Sequence, residues 1–189
     1  MAIGKHHVQT HLFDGYWEDI GTIKAFFDAN LALTGPNPPF TFGRHRNPIL
    51  TRPRFLPSTR FDNCTVNHSL IADGCEIGPG TTIEHSVIGV RTRIGSNVTI
   101  RNSVVMGCDY YPEDRHGSDE LIGIEDGVYI DGALVDKNVS IGHNSRIVAT
   151  EATGGDGDYD HLVVRDGIAI VRKSSKIPAN WTFKDRPKD

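Results

Sequence analysis

Aliphatic residues recur at Val66, Ile71, Ile77, Ile83, Ile88, Ile94, Ile100 and Val105, in steps of five or six that close to 17 residues at every third position. A helix needs apolar residues every three to four positions and a half-buried strand needs them every two, so neither accounts for this spacing. Four places after these residues stand Leu70, Cys75, Thr81, Val87, Thr92, Val98 and Val104, a second column that accepts only small, β-branched or aliphatic side chains. The pattern resumes in phase at Ile124, Ile130, Val135, Ile141 and Ile147, with Val128, Leu134, Val139 and Ser145 in the second column. About 13 extra residues therefore bulge out between Met106 and Gly123, and Glu113, Asp114, Arg115, Asp119 and Glu120 make that insertion hydrophilic. Three short strands per coil satisfy all of this, each giving one aliphatic residue to a central column. Gly78, Gly89, Gly95 and Gly142 allow tight corners where side chains would crowd. The expected fold is mainly β, a three-sided parallel β-helix in which each coil is buried by its neighbours.

Composition agrees with a packed domain. The 189 residues are 38% hydrophobic with 20 glycines, within the globular range. A net charge of −4 offers no broad basic surface, so nucleic acid is not expected as a partner. No apolar run approaches the roughly 20 residues that span a bilayer, so no membrane is expected either. The stretch around His6, His7, Gln9 and His11 lacks the apolar core of a signal peptide, which points to the cytoplasm. Cys64, Cys75 and Cys108 form no C-x-x-C pair and read as small apolar residues.

Ahead of the repeat, Thr22 to Gly35 predicts a helix. Thr22 is its cap, Ile23, Phe26, Phe27 and Leu31 share one face, and Gly35-Pro36 ends it. Pro36, Pro38, Pro39, Pro48, Pro53 and Pro57 then block regular structure, which makes helix and solenoid separate units and leaves the helix's apolar face without a partner. Residues 1–35, 36–60 and 61–183 divide on this reading into a leading segment, a linker and the β-helix with its insertion at about 106–123. After Ile147, residues 154–158 predict a flexible loop, and Val163, Val164, Ile168, Ile170 and Val171 a closing strand or final coil edge.

The repeat is similar to the hexapeptide-repeat family, whose parallel β-helix is left-handed. A more specific resemblance is carried by Phe13-Asp14-Gly15-Tyr16-Trp17-Glu18-Asp19-Ile20-Gly21-Thr22 and by Pro48-Ile49-Leu50-Thr51-Arg52-Pro53-Arg54-Phe55-Leu56-Pro57. It continues through Met106-Gly107-Cys108-Asp109-Tyr110-Tyr111, Val135-Asp136-Lys137-Asn138 and Asp166-Gly167-Ile168-Ala169-Ile170-Val171-Arg172-Lys173. These motifs, in order, resemble the C-terminal part of ADP-glucose pyrophosphorylase (glucose-1-phosphate adenylyltransferase).

The resemblance implies that residues 1–35 correspond to the end of an α/β nucleotidyltransferase domain and that adenylyl transfer serves glycogen or starch synthesis. It also implies that Asp19 is a remnant ligand of Mg²⁺, and that Trp17 and Glu18 adjoin a glucose-1-phosphate pocket. Arg54, Lys137 and Lys173 fall at positions that bind anionic effectors of the 3-phosphoglycerate or phosphate type. The sequence carries no Gly-rich, Arg-containing nucleotide loop, so the expectation is a regulatory and assembly module, inactive alone. It would form a homo- or hetero-oligomer through the β-helix, or pair with a separate catalytic domain. The compartment is the cytoplasm, or the plastid in a plant. Mg²⁺ belongs to the full enzyme and is expected to bind this chain poorly, since one carboxylate without substrate phosphates is a weak site.

Two readings of the histidines stay open beside this one. His6, His7 and His11 could cluster on a metal. His85, His116 or His143 could be the general base of a stand-alone hexapeptide-repeat acyltransferase.

Overall fold

A computed structural model describes residues 4, 6–42, 49–114, 122–152 and 155–183. Three parallel faces wind through it. The first holds strands Arg60–Phe61, Glu76–Ile77, Arg93–Ile94, Gly123–Ile124, Ser140–Ile141 and Lys176–Ile177. The second holds Thr65–Asn67, Thr82–Glu84, Thr99–Arg101, Tyr129–Asp131 and Arg146–Val148. On the third lie Leu70–Ile71, Val87–Ile88, Val104–Val105, Ala133–Val135 and Ile168–Val171.

The register is the one the 17-residue period requires. Val66 pairs with Ile83, Ile83 with Ile100 and Ile130 with Ile147. Ile94 pairs with Ile124 across the expected insertion. Glu113 and Asp114 stand near its start; the other charged residues expected in it, Arg115, Asp119 and Glu120, fall in residues 115–121, which lie outside the described set, as do Pro48 and Gly154.

A second insertion follows Ile147, where the sequence reading placed a flexible loop and then a closing strand or final coil edge. Val135 pairs with Val171 and Ile141 with Ile177, so the solenoid resumes beyond Ile147 after 19 further residues. Within that insertion Gly157–Asp158 is not a loop. It is a strand paired antiparallel with Val163–Arg165, which pairs antiparallel in turn with Ile168–Val171. Alternation within each strand turns Val164 of one and Ala169 and Val171 of the next inward, and this local alternation is what the six-residue template does not see.

The column residues Ile83, Ile100, Ile130, Ile141 and Ile147 have no exposed surface, and each contributes about 1.5–3 kcal/mol by leaving water. At the corners, buried hydroxyls are satisfied by main chain: Thr81 Oγ1 donates to the Gly95 carbonyl at 2.8 Å and Ser145 Oγ to that of Pro178 at 2.8 Å. Crowding is why Gly142 is glycine. A Cβ there would lie 2.5 Å from the Ala179 nitrogen and 2.8 Å from its Cα, backbone atoms of the next coil.

One part of the second column faces out. Val104, Leu134 and Ile170 project from the third face, and Phe27 and Leu31 of the helix Ile23–Ala32 cover them together with Val163 and Ile168. The helix is capped by Thr22, whose Oγ1 accepts the Ala25 N–H at 3.1 Å. Its apolar face is therefore not orphaned as the sequence suggested. Alternation within a two- or three-residue strand turns every other aliphatic outward, and the exposed stripe needed a cover.

The two ends of the solenoid differ. Trp181, Phe183 and Tyr159 close the C-terminal end, with ring centroids 5.0 Å apart for Trp181–Phe183 and 5.3 Å for Tyr159–Phe183. At the N-terminal end Phe61 is 53% exposed and Val66 37%.

Candidate functional site

The corner leading from the third face back to the first carries the densest charge chemistry among the described residues. Each coil must reverse direction there, and Arg91, Asn138 and Ser174 take positive φ to do so. Asn tolerates this conformation because its short side chain bonds locally. Gly107, at φ 83°, also needs to lack a Cβ, since one would fall 2.6 Å from the Gly89 carbonyl carbon.

Asp109 is the centre of the cluster. Its main-chain N–H donates to Asn138 Oδ1 at 2.8 Å, and Asn138 Nδ2 donates back to Asp109 Oδ2 at 3.1 Å, which locks the carboxylate to the next coil. Lys137 Nζ donates to Oδ1 at 2.8 Å, and Lys173 Nζ lies 3.1 Å from Oδ2. The Lys137 hydrogen bond above all, with those of Lys173 and Asn138, holds the carboxyl far below the usual carboxylate range. Charge-assisted contacts of this kind favour the ionised form.

Beside this cluster opens a cavity of about 310 Å³ lined by Arg52, Arg54, Arg91, Asp109 and Lys137 among others. Arg91 Nη1 donates to the Cys108 carbonyl at 3.3 Å, and its guanidinium lies 5.6 Å from the centre of the Tyr111 ring. Tyr111 OH donates in turn to the Gly74 carbonyl at 3.2 Å. The start of the first insertion is thus tied down against the corner. Burial pushes the neighbouring Cys108 thiol up to about 11.

The structure therefore brings Lys137 and Lys173 onto one carboxylate and places Arg54 on the wall of the adjoining cavity. Asp109, Arg52 and Arg91 were not singled out from sequence. The usable signal was register: once the second insertion is subtracted, Lys137 and Lys173 occupy equivalent places in successive coils, and Arg91 falls level with their neighbours Asn138 and Ser174.

The leading segment gathers much less. Trp17 is 73% exposed. Glu18 borders a cavity of about 560 Å³ with Tyr16, Lys24 and Asp28. Asp19 Oδ1 accepts the Gly21 N–H at 3.0 Å, a local turn ahead of the helix. Among the described residues no three His, Cys, Asp or Glu side chains gather in a way that could hold a metal ion.

His6, His7 and His11 are exposed. His85 Nδ1 sits 2.9 Å from Asn102 Oδ1, and His143 Nδ1 3.3 Å from Glu125 Oε2, each bridging adjacent coils. His116 lies outside the described residues. No described helix is long and apolar enough to cross a membrane.

Short parallel strands in 17-residue coils, aliphatic columns and asparagine or glycine corners define a hexapeptide-repeat β-helix. A family model, the GLGC left-handed parallel β-helix domain, matches residues 54–182, and the chain belongs to that family. The match supports the resemblance to the C-terminal region of ADP-glucose pyrophosphorylase.

Proposed function

We propose that this chain is the regulatory and assembly portion of a glucose-1-phosphate adenylyltransferase, binding an anionic effector of the 3-phosphoglycerate or phosphate type. One observation carries this reading: two lysines from successive coils converge on a single carboxylate at the mouth of a cavity with three arginines on its wall. Converging cations in a partly enclosed site are the chemistry an oxyanion needs, whereas each alone contributes little. Arg54, Lys137 and Lys173 bind the effector, and Arg52 and Arg91 add to its field. Transfer of the adenylyl group from ATP, with Mg²⁺, takes place elsewhere in the enzyme, and residues 1–189 alone make no ADP-glucose. Trp17, Glu18 and Asp19 act only when completed by the catalytic domain. The enzyme works in the cytoplasm or, in plants, the plastid.

The open N-terminal end of the solenoid, with exposed Phe61 and Val66, supports the proposal of subunit contacts through the β-helix, because an unpaired strand edge with apolar side chains favours association. Sedimentation should show an oligomer that dissociates on dilution; a monomer at high concentration would remove this part. For the effector site, calorimetric titration with inorganic phosphate should give weak, salt-sensitive binding that Lys137→Ala and Lys173→Ala each abolish. Binding indifferent to both substitutions would refute the assignment.

A further inference from the structure

The corner contains its own anion. Asp109 already uses the two ammonium groups that the proposed effector would need, and Asn138 fastens the carboxylate from the other side by a reciprocal pair of hydrogen bonds. The lysines are held differently. Their side chains are 34% and 55% exposed, so they can turn toward a molecule entering from solvent while Asp109 stays bonded to Asn138.

We infer that Asp109 is the resident counter-anion of this site: an incoming oxyanion has to draw Lys137 and Lys173 away from it, so Asp109 sets both the strength and the selectivity of anion binding. This rests on the anion-site reading above and adds to it a residue that opposes binding. A monocarboxylate ligand offers the lysines nothing that Asp109 does not already supply intramolecularly, where effective concentration favours the resident group. A phosphoryl dianion brings a second charge and further acceptor oxygens, and Arg52, Arg54 and Arg91 on the cavity wall remain to receive them. The site is thereby tuned to phosphorylated or otherwise dianionic ligands. Affinity for them is held down by the ion pairs that each binding event must break.

The test is a titration of the 189-residue chain with inorganic phosphate and, separately, with acetate. Wild type should bind phosphate measurably more tightly than acetate. Asp109→Asn keeps the shape and the Asn138 contact but removes the charge, and should bind phosphate about five- to tenfold tighter, the scale of two partly exposed ion pairs. Unchanged or weaker phosphate binding in Asp109→Asn, or equal affinity of wild type for acetate and phosphate, would overturn the inference. A second readout needs no variant: the carbon-13 signal of the Asp109 carboxyl in wild type should move during the phosphate titration and saturate with the calorimetric affinity. A signal that stays fixed while phosphate binds would also overturn it. Loss of binding in Lys137→Ala and Lys173→Ala with an unchanged Asp109→Asn sinks only this inference, whereas phosphate binding insensitive to the lysines sinks the site itself.

Discussion

The corner that holds Asp109, Lys137 and Lys173 and the leading segment that holds Trp17, Glu18 and Asp19 contain similar side chains, but only the first assembles them. In the solenoid, stacking puts equivalent positions of successive coils one strand spacing apart, about 4.8 Å, so residues 28 and 64 places away from Asp109 in the chain reach its carboxylate. The leading segment has no such repeat. Its order comes from one helix docked on the third face, and the residues ahead of that helix stay exposed. Periodicity, more than residue type, turns distant charges into a site.

The largest test of this contrast is a pair of core truncations. Ile130→Ala should lower the global unfolding free energy by about 2–5 kcal/mol in a denaturant titration, because Ile130 is fully enclosed between coils. Phe27→Ala should instead release the helix, raising hydrogen exchange at Ile23–Ala32 while leaving the solenoid's midpoint close to that of the parent. Equal losses from both would mean that leading segment and solenoid unfold as one cooperative body.

Next in size is Gly142→Ala. Its new methyl group meets the main chain of Ala179, which cannot swing aside as a side chain could. A loss of about 1–3 kcal/mol is expected, read in the same titration. Retained stability would show that the last coil can shift.

A smaller effect lies in the pH dependence of the corner. The Asp109 carboxyl is depressed below its model-compound value of 3.8, first by Lys137 and also by Lys173 and Asn138. Its contribution is therefore complete above that value and is lost as pH falls below it toward the depressed folded-state value. The pairs are more than one third exposed, so the contribution is no more than about 1 kcal/mol. Asp109→Asn should flatten the acid limb of the stability curve below about pH 4. An unaltered limb would mean that the lysines do not hold this carboxylate in solution.

The smallest test measures thiol reactivity without any substitution. Burial raises the Cys75 and Cys108 thiols, the latter to about 11, whereas Cys64 is only half-buried. A disulfide reagent at neutral pH should label Cys64 first and the other two only on unfolding. Rapid labelling of Cys108 would mean that the corner opens.

Much of the architecture was legible because the central column is a one-dimensional constraint. Each aliphatic at a six-residue step must point inward, so counting along the chain gave the three faces, the coil register and the first insertion. The second insertion escaped because two irregular segments in succession hide the phase, although Val135 to Val171 and Ile141 to Ile177 share one offset. The helix was predicted from its cap and spacing, but its docking was not, since nothing local says that Val104, Leu134 and Ile170 face outward.

The same division holds at the site. Motif resemblance picked out Arg54, Lys137 and Lys173, while Asp109 and Arg91 emerged only when the coils were stacked. The repeat by itself determined the solenoid, because burial of a periodic apolar column depends on order along the chain. Tertiary structure decided which charges meet and which face the helix covers, because both depend on distances across coils that spacing along one strand does not encode.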